Sequence, residues 1–175
     1  MNPKGKVVWL TGLPGSGKTT LAEELNSRLS IGGVRCTILD GDDIREMESK
    51  DLGFSPSDRK LQAKRVASKA ASLSSVGITV IVSLVSPYRS SRAHAKGVIG
   101  ENRFIEVFVD CPLTVCQRRD PKGLYAKAFA GEVTNLTGVD APYEEPLDPG
   151  VHVRTDISSV SECVGQIMDF YLTTC

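Results

Sequence analysis

The chain has 175 residues, 41% hydrophobic and 24% charged, which suits one soluble domain with its own core rather than two. Its 21 Lys plus Arg balance 21 Asp plus Glu, so no global charge favours nucleic acid or a membrane surface. Any positive potential must be local. The first predicted element is a buried strand, Val7, Val8, Trp9 and Leu10. It runs into Gly12-Leu13-Pro14-Gly15-Ser16-Gly17-Lys18-Thr19-Thr20, which fits G-x-x-x-x-G-K-[ST] with Gly12, Gly17, Lys18 and Thr19 in the required places. Leu21, Ala22, Leu25 and Leu29 follow at helical spacing, so the motif has the strand and helix that its mechanism needs. Gly12, Gly15 and Gly17 free the backbone so that successive N–H groups converge on one anion, and the helix adds its positive end. Lys18 would reach the β and γ phosphates and the Thr19 hydroxyl would ligate magnesium, making Mg-ATP or a relative the expected ligand.

Arg35 to Leu39 reads as a second strand ending in an acidic turn, Asp40-Gly41-Asp42-Asp43. Ile78 to Leu84 and Phe104 to Val109 are two further β-branched runs, with helical patterns between them. That alternation predicts a parallel sheet with helices on both faces, in the version that binds nucleotides. A helix from Pro56 to about Val76 is capped by Ser55 and Asp58, and its core stripe is Ala63, Val66, Ala70 and Leu73. Carried backwards, the stripe lands on Arg59, which either snorkels to water or faces an anion in a cleft. Lys122 to Gly150 shows little periodicity and carries Pro142, Pro146 and Pro149, but its Tyr125, Lys127, Phe129 and Tyr143 favour a lid over a disordered loop. Ser159 to Glu162 opens a last helix with Val160, Cys163, Val164, Ile167 and Tyr171 on one face.

Strand carboxyl ends share an edge in such a sheet, so Asp40 and Asp42 should lie near the γ-phosphate. Asp42 is assigned to magnesium and to the acceptor hydroxyl as base, whereas Asp40 reads first as a turn or cap residue. No strand ends in an obvious Walker B aspartate, since Ile78 to Leu84 runs into Val85-Ser86-Pro87. Arg45, Arg59, Arg65, Arg89, Arg92, Arg118, Arg119 and Lys122 supply cations, and about half of them are expected at the catalytic edge. His94 and His152 read as incidental. Asp120-Pro121-Lys122-Gly123 matches the GTPase D-x-x-G string but ends no apolar strand, and no N-K-x-D follows. No apolar stretch reaches membrane-span length, and MNPKGK offers no signal-peptide core. The five cysteines, Cys36, Cys111, Cys116, Cys163 and Cys175, lack C-x-x-C or zinc-type spacing, so reduced, mostly buried thiols and a cytoplasmic setting are expected.

Taken together, WLTGLPGSGKTTLA (9 to 22), LDGDDIR (39 to 45), LGFSPSDR (52 to 59), VSPYRSSR (85 to 92), RDPKGLYAKA (119 to 128) and TGVDAPYEEP (137 to 146) resemble the adenylylsulfate kinase family. The resemblance implies a single three-layer α/β P-loop kinase domain over 1–175, dimeric, using ATP and magnesium, with a lid near 122–150. It implies transfer of the γ-phosphate to the 3′-hydroxyl of adenylyl sulfate. By matching positions, Asp42 resembles the catalytic aspartate, and Arg45 and Arg59 resemble residues that hold the acceptor's phosphosulfate region. Phe54 resembles the aromatic that stacks on the acceptor adenine, Arg119 a residue near the ATP adenine, and Ser86, beside Pro87, a phosphate-proximal hydroxyl. Lys18 and Lys122 would neutralise the transferring group.

Departures cluster on the acceptor side. Gln62 stands where the family commonly has asparagine, Leu136 replaces the second aromatic of the adenine sandwich, and Phe129 replaces a cation. Losing a stacked aromatic forfeits about 1–3 kcal/mol per base. Phe129 stacking from another angle is one expected compensation, and a changed nucleotide-like acceptor is the alternative. A nucleotide-binding regulator without turnover is a further rival, opposed by the intact Lys18, Thr19 and Asp42.

Overall fold

The β-branched runs pair side by side into a five-stranded, all-parallel sheet in the order β2-β3-β1-β4-β5. The strands are β1 (Val7–Thr11), β2 (Cys36–Asp40), β3 (Thr79–Ser83), β4 (Phe104–Asp110) and β5 (Val151–Arg154). The computed structural model describes residues 4–174; Met1, Asn2, Pro3 and Cys175, with the thiol expected there, lie outside the described residues. Every residue of β1 and β3 is buried, as strands covered on both faces require.

Alternation along β1 splits the core into two layers. Val8 and Leu10 face α1 (Lys18–Ile31) and α7 (Val160–Thr173), where Leu21, Leu25, Val164 and Ile167 pack. Val7 and Trp9 face α3 (Pro56–Ser75), which packs against α4 (Arg89–Ile99), where Ala63, Val66, Ala70 and Ile99 pack. Each large apolar side chain buried this way contributes about 1.5–3 kcal/mol. Leu73, expected on the stripe, is only partly buried against this layer.

Where the acidic stretch was read as a turn, the chain forms α2 (Gly41–Glu48). Asp40 is its N-cap, accepting the Asp42 N–H at 3.0 Å, and Asp42 and Asp43 sit in the first turn against the positive helix end. With only Ile44 buried, α2 has no apolar stripe for a sequence reading to find. α5 (Leu113–Arg119) and α6 (Leu124–Phe129) are too short to show a period.

Residues 122–150 lie as a cover rather than a free loop. Tyr125 donates its buried hydroxyl to Pro14 O at 2.8 Å, and the Tyr143 hydroxyl lies 2.9 Å from Thr11 Oγ1. Glu144 N donates to Pro87 O at 2.8 Å, and Arg92, 2% exposed, donates to Glu144 O, Ser86 O and Glu106. Arg92 is therefore a structural tie between cover and sheet rather than a cation for the reaction. Among the described residues no helix is long and apolar enough to cross a membrane.

Candidate active site

The carboxyl ends of β1, β2 and β3 deliver the loops that line one cleft of about 580 Å³. On its floor, Gly17 adopts a φ of 100° at the start of α1, which a side chain would strain. Gly12 is needed for close approach, because a Cβ there would stand 2.4 Å from Val109 O and 2.8 Å from Ser16 Oγ. Gly12→Ala is therefore expected to cost about 1–3 kcal/mol through overpacking, read as a lowered melting temperature together with weakened Mg-ADP binding. An unchanged melt would refute the clash.

Lys18 is buried and folds onto its own loop, donating to Leu13 O at 2.8 Å and Gly12 O at 3.0 Å. Burial lowers its pKa from 10.5 to about 8. Thr19 donates its hydroxyl to Asp40 Oδ2 at 2.9 Å. Asp40, read first as a cap, thus does two things: one oxygen closes α2 and the other accepts from the Thr19 hydroxyl of the P-loop. No cluster of three or more His, Cys, Asp or Glu residues suits a metal by itself among the described residues. A cation shared between phosphate oxygens, Thr19 and a nearby carboxylate fits this donor set.

Asp42, in the first turn of α2, points its carboxylate to Lys122 of the cover, and the two form an ion pair. Asp42 holds the Lys122 ammonium pKa above its usual value, chiefly through that hydrogen bond. The pair is exposed and its contribution to stability is small.

The other wall carries Arg45, Phe54, Arg59 and Gln62. The Arg45 and Arg59 guanidiniums stand 4.4 and 5.5 Å from the Phe54 ring centroid. Arg59 donates to Asn135 O at 2.7 Å, tying α3 to the cover, and burial lowers the pKa of both arginines. The helical stripe thus runs into a cleft, whose wall Arg59 lines. Gln62, 3% exposed, donates to Gly41 O at 2.9 Å and accepts from Arg45 Nη2, so it ties Arg45 to the first residue of α2. Ser86 and Pro87 line the same cleft, but the Ser86 hydroxyl accepts from Trp9 Nε1 at 3.0 Å and donates to Leu84 O at 3.2 Å. Its φ of 38° is unusual for a residue with a side chain.

Of the candidate cations, Arg45, Arg59, Arg119 and Lys122 line the cleft. Arg65 pairs with Asp51 in solvent, and Arg89 donates to Glu144 and Glu145 of the cover. Leu136 lines the cleft while packing against Cys111, Cys116 and Tyr125. Phe129 is 66% exposed on α6 and is not part of the lining, so the expected compensating stack is corrected: the helix turns that ring to solvent.

His152 is not incidental, for its Nε2 lies 2.9 Å from Asp110 Oδ2 and its ring stacks at 4.9 Å on Phe108. That contact joins β4 to β5, a pairing no local pattern announced. His94 is exposed. Thr155 was missed altogether. It follows β5, lines the cleft and accepts two hydrogen bonds from Arg119. Cys36, Cys111, Cys116 and Cys163 are free, and all but Cys36 are buried.

A family profile described as adenylylsulphate kinase matches residues 4–154. The bifunctional enzyme NodQ of Rhizobium tropici is 47% identical over 169 residues; the match takes in 97% of this chain and 27% of that protein. A probable adenylyl-sulfate kinase of Synechocystis sp. (strain ATCC 27184 / PCC 6803 / Kazusa) is 46% identical over 167 residues, 95% of this chain and 93% of its own. Among solved structures, that of the Mycobacterium tuberculosis APS kinase CysC in complex with AMPPNP and APS superposes with a TM-score of 0.94 at 42% identity. That superposition covers 98% of this chain and 99% of the other.

Proposed function

This chain belongs to the adenylylsulphate kinase family, and from that premise we propose that it transfers the γ-phosphate of ATP to the 3′-hydroxyl of adenylyl sulfate, releasing ADP. The observation that carries the reading is one cleft in which the P-loop faces Asp42 and Lys122, with Arg45, Phe54 and Arg59 on the opposite wall.

The Gly12–Thr20 loop holds the triphosphate, and Lys18 leaves its own carbonyls for the phosphate oxygens. Thr19 and the neighbouring Asp40 are the residues that would hold magnesium, which would supply neutralisation of phosphate charge. The metal role foreseen for Asp42 is thus better supported at Asp40, which leaves Asp42 for the acceptor. Arg45 and Arg59 grip the acceptor's anionic part beside Phe54. Asp42, once Lys122 turns to the transferring group, orients the hydroxyl and takes its proton. The cover excludes water.

An ADP-release assay with a panel of nucleotide acceptors tests the reading. Turnover of adenylyl sulfate above the others is expected; turnover confined to another nucleotide would overturn the acceptor assignment. Gln62→Leu should raise the acceptor KM about tenfold, because Arg45 loses a hydrogen-bond partner. The ATP KM should stay unchanged; an equal rise in both would refute an acceptor-side role.

A cytoplasmic setting is supported by four free thiols among the described residues. A homodimer is supported by the family resemblance, and light scattering should report twice 18.8 kDa. A monomer or larger assembly would refute it.

A further inference from the structure

Thr155 sits where the sheet edge, the P-loop and α5 meet. Its N–H donates to Asp110 O at 3.0 Å, extending the β4 to β5 ladder one step and fixing its backbone to the sheet. Its Oγ1 donates to Ser16 O at 2.7 Å. Arg119 then closes on it twice, with Nη1 3.2 Å from Thr155 Oγ1 and Nη2 2.6 Å from Thr155 O. The methyl group faces Gly17, where even an added Cβ would stand 3.7 Å away, so the side chain is seated without crowding the loop.

A trans peptide is a rigid plane whose C=O and N–H point in opposite directions. Anchoring Ser16 C=O on Thr155 therefore aims the Gly17 N–H the other way, and the φ of 100° at Gly17 then sets the course of the chain into Lys18 and Thr19. The same hydroxyl oxygen accepts from Arg119 and so ties that guanidinium to the rim of the cradle.

We propose that Thr155 is a positioning residue for the nucleotide donor: its hydroxyl sets the aim of a P-loop amide and the stance of Arg119 together, through the sheet rather than through the loop itself. This rests on reading Gly12–Thr20 as a nucleotide cradle and is independent of the acceptor. The phosphate is gripped well only when the cradle's amides converge before it arrives, since any reorientation then subtracts from binding.

The test uses the full chain and Mg-ADP, with affinity measured by calorimetry beside thermal melts. Thr155→Val keeps the shape and removes the hydroxyl, and should weaken Mg-ADP about tenfold for the loss of two hydrogen bonds. Thr155→Ser keeps the hydroxyl and should bind within about twofold of wild type. The acceptor KM at saturating ATP should not move in either variant. Equal weakening in both variants, or a Val variant that binds like wild type, would overturn the proposal. So would a loss of binding that a parallel fall in the melt of both variants accounts for. Wild type that fails to bind Mg-ADP would overturn the cradle reading itself, and this inference with it.

Discussion

Asp42→Asn is expected to lower kcat by about 100- to 10,000-fold, the range of a positioned general base, with little change in the KM for either substrate. Asparagine keeps the shape and one acceptor oxygen, so the hydroxyl is still oriented but its proton has no destination. The side chain is 65% exposed and its partner Lys122 is 55% exposed, so removing the charge should leave the melt close to wild type. That separates chemistry from folding. Lys122 gains a free ammonium in the variant, which should help rather than hinder phosphate binding. A kcat within threefold of wild type would remove Asp42 from the mechanism and leave the cleft without a base on α2.

Lys18→Ala should cost about 100- to 1,000-fold in kcat, the scale of losing one charge-stabilising donor at a transferring group, and should weaken Mg-ADP as well. The pH dependence of the wild type adds a sharper test. Burial lowers the Lys18 pKa from 10.5 to about 8, so between those values the unfolded chain holds a proton that the native chain has lost. Folding stability from this group accordingly rises with pH through that window, since the unfavourable buried charge disappears. Nucleotide affinity moves the other way. The phosphates need the ammonium, so above about pH 8 binding must take up a proton and Mg-ADP should weaken by up to about tenfold per pH unit. Calorimetry in buffers of different ionisation enthalpy would read the uptake directly. The alanine variant should lose it. A wild-type affinity flat from pH 7 to 9.5 would contradict the lowered pKa.

What the sequence revealed follows from which signals are local. The P-loop is nine consecutive residues between an apolar run and a helical stripe, and the structure keeps that order from Val7 to Ile31. Arg59 fell on the buried row of α3 by spacing alone, and the cleft is there to receive it. The second role of Asp40 needed the distance between β1 and β2, whose carboxyl ends are separated in the sheet by β3. Thr155 and His152 depend on β5 lying beside β4, and β5 is a four-residue strand with no run of apolar residues to mark it. Gln62 was matched to a substrate-facing position by resemblance, whereas its amide is engaged by Arg45 and Gly41. Phe129 misled because an aromatic in a cover segment suggests a stack, and only the turn of α6 decides which way it points.

The P-loop, Asp42 and Ser86 all follow the carboxyl ends of strands, while Lys6, one residue before β1, donates to Tyr171 O at 2.6 Å and also to Thr174 O at the close of α7. The Tyr171 hydroxyl meets Thr79 Oγ1, at the start of β3, 2.8 Å away. The first and last described stretches therefore clasp each other on the rim remote from the chemistry. A partner polypeptide can be spliced on at either side of that clasp without disturbing the working face, and an architecture of this kind can serve as a self-contained cassette inside larger proteins.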